Sequence, residues 1–91
     1  MPKLNNLDVK FINFDGTEVN ATPRMVINEA ARMRTIAAND KPILYAVAKR
    51  LEGYTESLQV NDTERQVLEG VAKHLFVPIV YGRFCEQFTN D

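Results

Sequence analysis

Three prolines do most to limit what this chain can become. A proline ring has no amide hydrogen, so it fits the first turn of a helix and breaks a helix interior. Pro23 follows Thr22, Pro42 follows Asn39-Asp40-Lys41, and Pro78 follows Phe76-Val77. Each therefore marks a helix start. The Thr22 hydroxyl can cap the first helix, and Asn39 or Asp40 can cap the second. Helix one is predicted from Pro23 to about Ala38. Val26, Ala30, Met33 and Ala37 form its apolar stripe, Met25, Ile27 and Ile36 flank it, and Arg24, Asn28, Arg32 and Thr35 lie opposite. Helix two carries Ile43, Leu44, Val47 and Leu51 at helical spacing and ends where Gly53 offers a C-terminal cap.

Asn61-Asp62-Thr63-Glu64 reads as a capping box in front of a third helix, with Asn61 capping and Glu64 reaching back. Val67, Val71 and Leu75 fall on one line of that helix, with Leu68 and Ala72 beside them. Gly70 weakens it by about 1 kcal/mol relative to Ala, so a close contact is expected there. Pro78 opens a fourth helix, on which Val80, Phe84 and Phe88 are spaced four apart with Tyr81 and Cys85 adjacent.

Ahead of the first proline the periodicity changes. Leu7, Val9 and Phe11 share one parity, Ile12 and Phe14 the other, and Asp15-Gly16 separates them from Thr17-Glu18-Val19. Alternation around a dipeptide that tolerates positive φ predicts a β-hairpin, which needs a helical body to rest on. The expected fold is mainly α, in the α+β class: an N-terminal β-hairpin followed by a compact bundle of about four helices. A single domain over residues 1–91 divides into a hairpin segment (1–22), a helix pair (23–53), a connector (54–61) and a second helix pair (62–91). In the connector, Leu58 and Val60 alternate with polar residues and are expected to pack as an extended segment.

Size and charge narrow the function. A chain of 91 residues supports one hydrophobic core and leaves no room for a separate catalytic domain. Eleven Lys and Arg balance twelve Asp and Glu, without the overall basicity of a protein devoted to nucleic acid. The single cysteine, Cys85, reads as a small buried hydrophobe. The single histidine, His74, reads as a partly exposed helix residue, and an enzyme reading turns on whether a cleft brings a carboxylate to it. No catalytic set, cofactor site or metal site is expected. The start lacks a secretory pattern and the longest apolar stretch is too short to span a bilayer, so a reducing cytoplasm is expected.

The near-zero net charge hides segregation. From Arg24 to Arg50 six basic residues face two acidic ones, and from Leu51 to Ala72 five acidic residues face Arg65 alone. Either the two halves fold against each other or remain ordinary solvated faces, or the basic end meets a partner: nucleic acid, an acidic protein, or the acidic end of a second copy. The candidate interaction surface is Arg24, Arg32, Arg34, Tyr81, Arg83, Phe84 and Phe88.

The layout resembles small proteins of tailed bacteriophages and prophages. The likeness rests on the Phe14-Asp15-Gly16 turn, Leu51-Glu52-Gly53 ending a helical middle, Val60-Asn61-Asp62-Thr63-Glu64, and Pro78-Ile79-Val80-Tyr81-Gly82-Arg83 opening the last helix. It implies a protein made in the cytoplasm of a bacterial host, where proteins of this size often act by binding. The missing catalytic set, the two-ended charge and the aromatic last helix add the expectation of a non-enzymatic protein that works by protein–protein contact and self-associates as a homo-oligomer. A tail assembly chaperone, an inhibitor of a host or defence protein, and a small nucleic-acid-binding regulator are the alternatives. No membrane partner is expected, and neighbouring genes would discriminate among these roles.

Overall fold

The computed structural model describes residues 1–90. Its elements in chain order are β1 (Pro2–Leu4), α1 (Pro23–Ala30), α2 (Lys41–Leu51), β2 (Leu58–Gln59), α3 (Asp62–Leu75), α4 (Pro78–Glu86) and β3 (Phe88–Asn90). All three prolines occupy the first turn of their helices. Thr22 accepts the Met25 amide, and both halves of the Asn61/Glu64 capping box are formed. Asp40 occupies the cap position of α2 without a side-chain cap hydrogen bond.

The sheet is not the expected hairpin. It has three short antiparallel strands in the order β2-β1-β3, with β1 in the middle. Leu4 stands opposite Leu58 on one side and Phe88 on the other, fully buried. The expected hairpin survives only as an irregular turn. A lone bridge joins Ile12 to Glu18, the Asn13 amide donates to the Thr17 carbonyl at 2.8 Å, and Gly16 takes a φ of 87°. Phe11 is buried and exchanges backbone hydrogen bonds with Val19 and Ala21, but Val9, Ile12 and Phe14 remain exposed, so too little of this stretch is buried to extend the pairing into strands.

The connector prediction is met, since Leu58 and Val60 are both buried and extended around β2. Two other expectations need correction. Phe88 belongs to β3, not to the last helix: α4 stops at Glu86, with Gln87 as its C-cap. Its four-residue spacing from Phe84 reflects ring contact, because the two rings meet edge to face at 5.4 Å. Helix one ends at Ala30, not near Ala38. From Arg32 the amides reach back three residues to Glu29 and Ala30, and the chain continues as turns to Asp40. Of residues 31–39 only Ile36 is buried, too little apolar surface to hold two further turns of helix on the body.

One core joins the layers, built from Leu4, Leu7, Ile27, Val47, Leu51, Leu58, Val60, Phe84 and their neighbours. Gly70 is another correction, because a Cβ there would meet nothing within 4 Å. Asn5 and Asn6 fasten the start of the chain to its last turn. The Asn5 side chain donates to the Gln87 carbonyl and to Thr89, and the Asn6 amide group donates to Gln87 Oε1 at 2.8 Å. Asn6 does so at a φ of 56°, a left-handed conformation that asparagine tolerates better than most residues.

Candidate interaction site

The seven residues of the sequence-derived surface do not form one surface. Phe84 is fully buried and Phe88 is nearly so, so both serve the core, where aromatic rings bury more apolar area than most side chains. Tyr81 is half-buried against that core on α4. It lies beside Cys85 and Glu69. Cys85 and desolvation lift its phenol above the ordinary range. Desolvation, reinforced by Glu69, pushes the Cys85 thiol up to about 11. The thiol is therefore protonated at neutral pH and not a nucleophile of consequence.

The arginines separate further. Arg24 is fully engaged inside the molecule: Nε donates to Asp8 Oδ1 at 2.7 Å, Nη1 to the Leu51 carbonyl at 2.9 Å, and Nη2 to the Tyr54 carbonyl. It ties the N-terminal segment and the start of α1 to the end of α2, whose last carbonyls carry partial negative charge. The paired guanidinium holds the Asp8 carboxyl below its usual range. Arg83 is likewise held, donating to the Ile12 carbonyl at 2.8 Å and to Glu86 at 3.1 Å, with its guanidinium 5.5 Å from the Phe14 ring centre.

The charge segregation is partly cancelled inside the fold. Arg50, from the basic half, meets Glu64, from the acidic half, through two hydrogen bonds at 2.6 and 3.1 Å. Glu64 Oε1 also accepts the Asn61 amide, so one carboxylate serves both the helix cap and the ion pair. Arg50, with help from the Asn61 amide, keeps the Glu64 carboxyl below its ordinary range.

Arg32 and Arg34 are different. Both are exposed, and no hydrogen bond or ion pair holds either of them among the described residues. They stand on the turns after α1 and line a cleft of about 410 Å³ with Met33, Ile36, Lys41, Leu44, Tyr45 and Ala48. Ile36 and Leu44 are buried and give the cleft an apolar floor. Tyr45 stands on its wall at 66% exposure, with Lys49 5.9 Å from the ring centre. The site exists because α1 stops early: a helix continuing to Ala38 would have had no such turns to set opposite α2.

Tyr45 and Lys41 are not among the seven residues of the sequence-derived surface, although Tyr45 is one of the aromatics that could stack on a nucleic-acid base and Lys41 belongs to the basic segment. A signal was present, since Tyr45 has a lysine four residues before it and another four after, placing one aromatic between two cations on one helix face. His74 is exposed on α3 and shares a smaller cleft of about 250 Å³ with Asp40, Thr35 and Ile36. A carboxylate is therefore brought to the same cleft as the histidine, but no hydrogen bond joins the two. No group of three His, Cys, Asp or Glu among the described residues could hold a metal ion, and no helix of theirs is long and apolar enough to cross a membrane.

Apolar floor, aromatic wall and three cations together suit a partner that presents an apolar side chain beside negative charge. No family model, curated protein or solved structure matches this chain.

Proposed function

We propose that this chain is a small non-enzymatic binding protein that works by protein–protein contact, and that the cleft between residues 31–36 and α2 is its contact face. The observation that carries this is the pair Arg32 and Arg34, exposed and unpaired above an apolar floor while Arg24, Arg50 and Arg83 are engaged internally. Cations left in water beside an exposed tyrosine are the ingredients of an interface hot spot, where Tyr and Arg are enriched. The partner that fits is an acidic segment carrying an apolar side chain. The likeness in layout to small phage proteins supports a setting in the bacterial cytoplasm, as a tail assembly chaperone or as an inhibitor of a host or defence protein.

A second reading, binding of single-stranded nucleic acid, draws on Tyr45, because stacking on an aromatic flanked by cations is how such strands are held without sequence preference. One titration separates the two. A short acidic peptide with a central phenylalanine, and separately an oligothymidylate, are added while backbone amide shifts are followed. Peptide binding that moves Ile36, Leu44 and Tyr45, and is lost in the double variant Arg32→Glu/Arg34→Glu, supports the protein-binding reading. Oligothymidylate binding at the same amides without peptide binding overturns it in favour of nucleic acid, and no shift from either probe removes the cleft as a contact face.

A further inference from the structure

The molecule carries a feature that answers the cleft. Phe14 is 88% exposed, the most exposed large apolar side chain among the described residues, and it sits at the tip of the 13–17 turn. A single exposed ring needs no cover to be stable in water, but it is available as an anchor for an interface, where aromatic side chains are enriched. The turn holding it is braced: Gly16 donates to the Asn13 carbonyl at 3.0 Å, and Asp15 Oδ1 accepts both the amide and the hydroxyl of Thr17. Thr17 in turn accepts from the Asn13 side chain at 3.1 Å. A ring on a braced turn loses little further freedom when it docks, which lowers the cost of association.

The charged residues of the turn itself are opposite in sign to those of the cleft, and Arg83 beside the ring is paired with Glu86. Asp15 follows Phe14 directly and Glu18 closes the turn, both exposed. The cleft is lined by Arg32, Arg34 and Lys41 around its apolar floor. The volume of about 410 Å³ is within the range of pockets that enclose small ligands. Arg83 stacks on one side of Phe14 and leaves most of the ring to water. The turn and the cleft share no residues, and the exposure of Phe14 means that it does not fill the cleft of its own molecule.

We infer that the Phe14-Asp15 turn of one copy seats in the Arg32/Arg34/Tyr45 cleft of a second copy, with the ring against Ile36 and Leu44 and Asp15 toward the arginines. This inference rests on the reading of the cleft as a contact face and names the partner as the chain itself. Two different patches meet, so the contact is heterologous: each copy offers one turn and one cleft, and the assembly grows into a ring or a filament.

The test uses that asymmetry. Light scattering behind size exclusion, at low salt, is applied to the wild type, to Phe14→Ala and to Arg32→Glu/Arg34→Glu. The wild type is expected above the 10.4 kDa of a single chain and each variant at the single-chain mass. Mixed one to one, the variants recover a species of twice that mass, because Phe14→Ala keeps its cleft and the arginine variant keeps its turn. Far-UV circular dichroism confirms folding, since none of the three side chains belongs to the core. A wild type that stays single at high concentration overturns the inference; if the acidic peptide still binds, the cleft remains a contact face for another protein. An assembled wild type that Phe14→Ala leaves intact overturns the inference too, as does a mixture that fails to recombine.

Discussion

Arg24 and Arg32 both stand in the basic half of the chain, eight positions apart, and the fold gives them opposite lives. Arg24 lies on a regular helix that places it against the end of α2, where two carbonyls and Asp8 are within reach. Arg32 lies two residues past the end of α1, on turns that carry it and Arg34 into solvent. Local charge density therefore says little about which arginine is available to a partner. What decides is whether the backbone delivers carbonyls and carboxylates to the guanidinium, as it does for Arg24 and does not for Arg32.

The comparison breaks first at Arg24. Arg24→Ala removes hydrogen bonds joining three parts of the chain, although the Leu51 carbonyl keeps the Tyr54 amide, and a loss of about 1–2 kcal/mol is expected in urea denaturation. A loss below about 0.5 kcal/mol would show that this arginine is no more structural than Arg32. Glu64→Gln sharpens the same contrast at the second engaged arginine, with an expected loss of about 1–2 kcal/mol near pH 7. Because Arg50 depresses the carboxyl of folded Glu64, the pair's contribution is complete above the ordinary carboxylate value of 4.5 and disappears as pH falls through the lower folded value. The gap between wild type and Glu64→Gln should close as the solution is acidified below 4.5, since Gln keeps an oxygen for the Asn61 amide and loses only the charge; a constant gap would show that the ion pair is not its source. The smallest effect belongs to Arg32→Glu/Arg34→Glu, which should leave stability within about 0.5 kcal/mol of wild type while binding at the cleft is lost.

Where the sequence spoke through backbone chemistry, it was legible. Proline at a helix start, the Asn61/Glu64 box and the glycine of the 13–17 turn each follow from local sterics and hydrogen bonding, and each appears in the structure. The sheet was illegible because strands of two or three residues carry no period to detect, and because Leu4 acquires its meaning only from Leu58 and Phe88, far away in the chain. Phe88 kept the spacing of a helical residue after the helix had ended, since ring contact with Phe84 satisfies that spacing from a strand equally well. The end of α1 was missed for the opposite reason. Met33 and Ala37 continue the pattern on paper, but the fold provides no surface for them, and Met33 remains 36% exposed. That error hid the cleft, which exists only where the helix fails to continue.

The central place of β1 in its sheet also fixes an order of events during synthesis. β1 precedes both of its neighbours in chain order: one arrives with Leu58–Gln59 and the other only with Phe88–Asn90, after α1 to α4 have been made. Until then the edge of β1 that faces β3 lacks its partner, and Leu4 lacks Phe88 opposite it. The helices can form early, but the sheet is complete only once Phe88–Asn90 are free to move, and until then β1 keeps an open edge able to pair with a neighbouring chain.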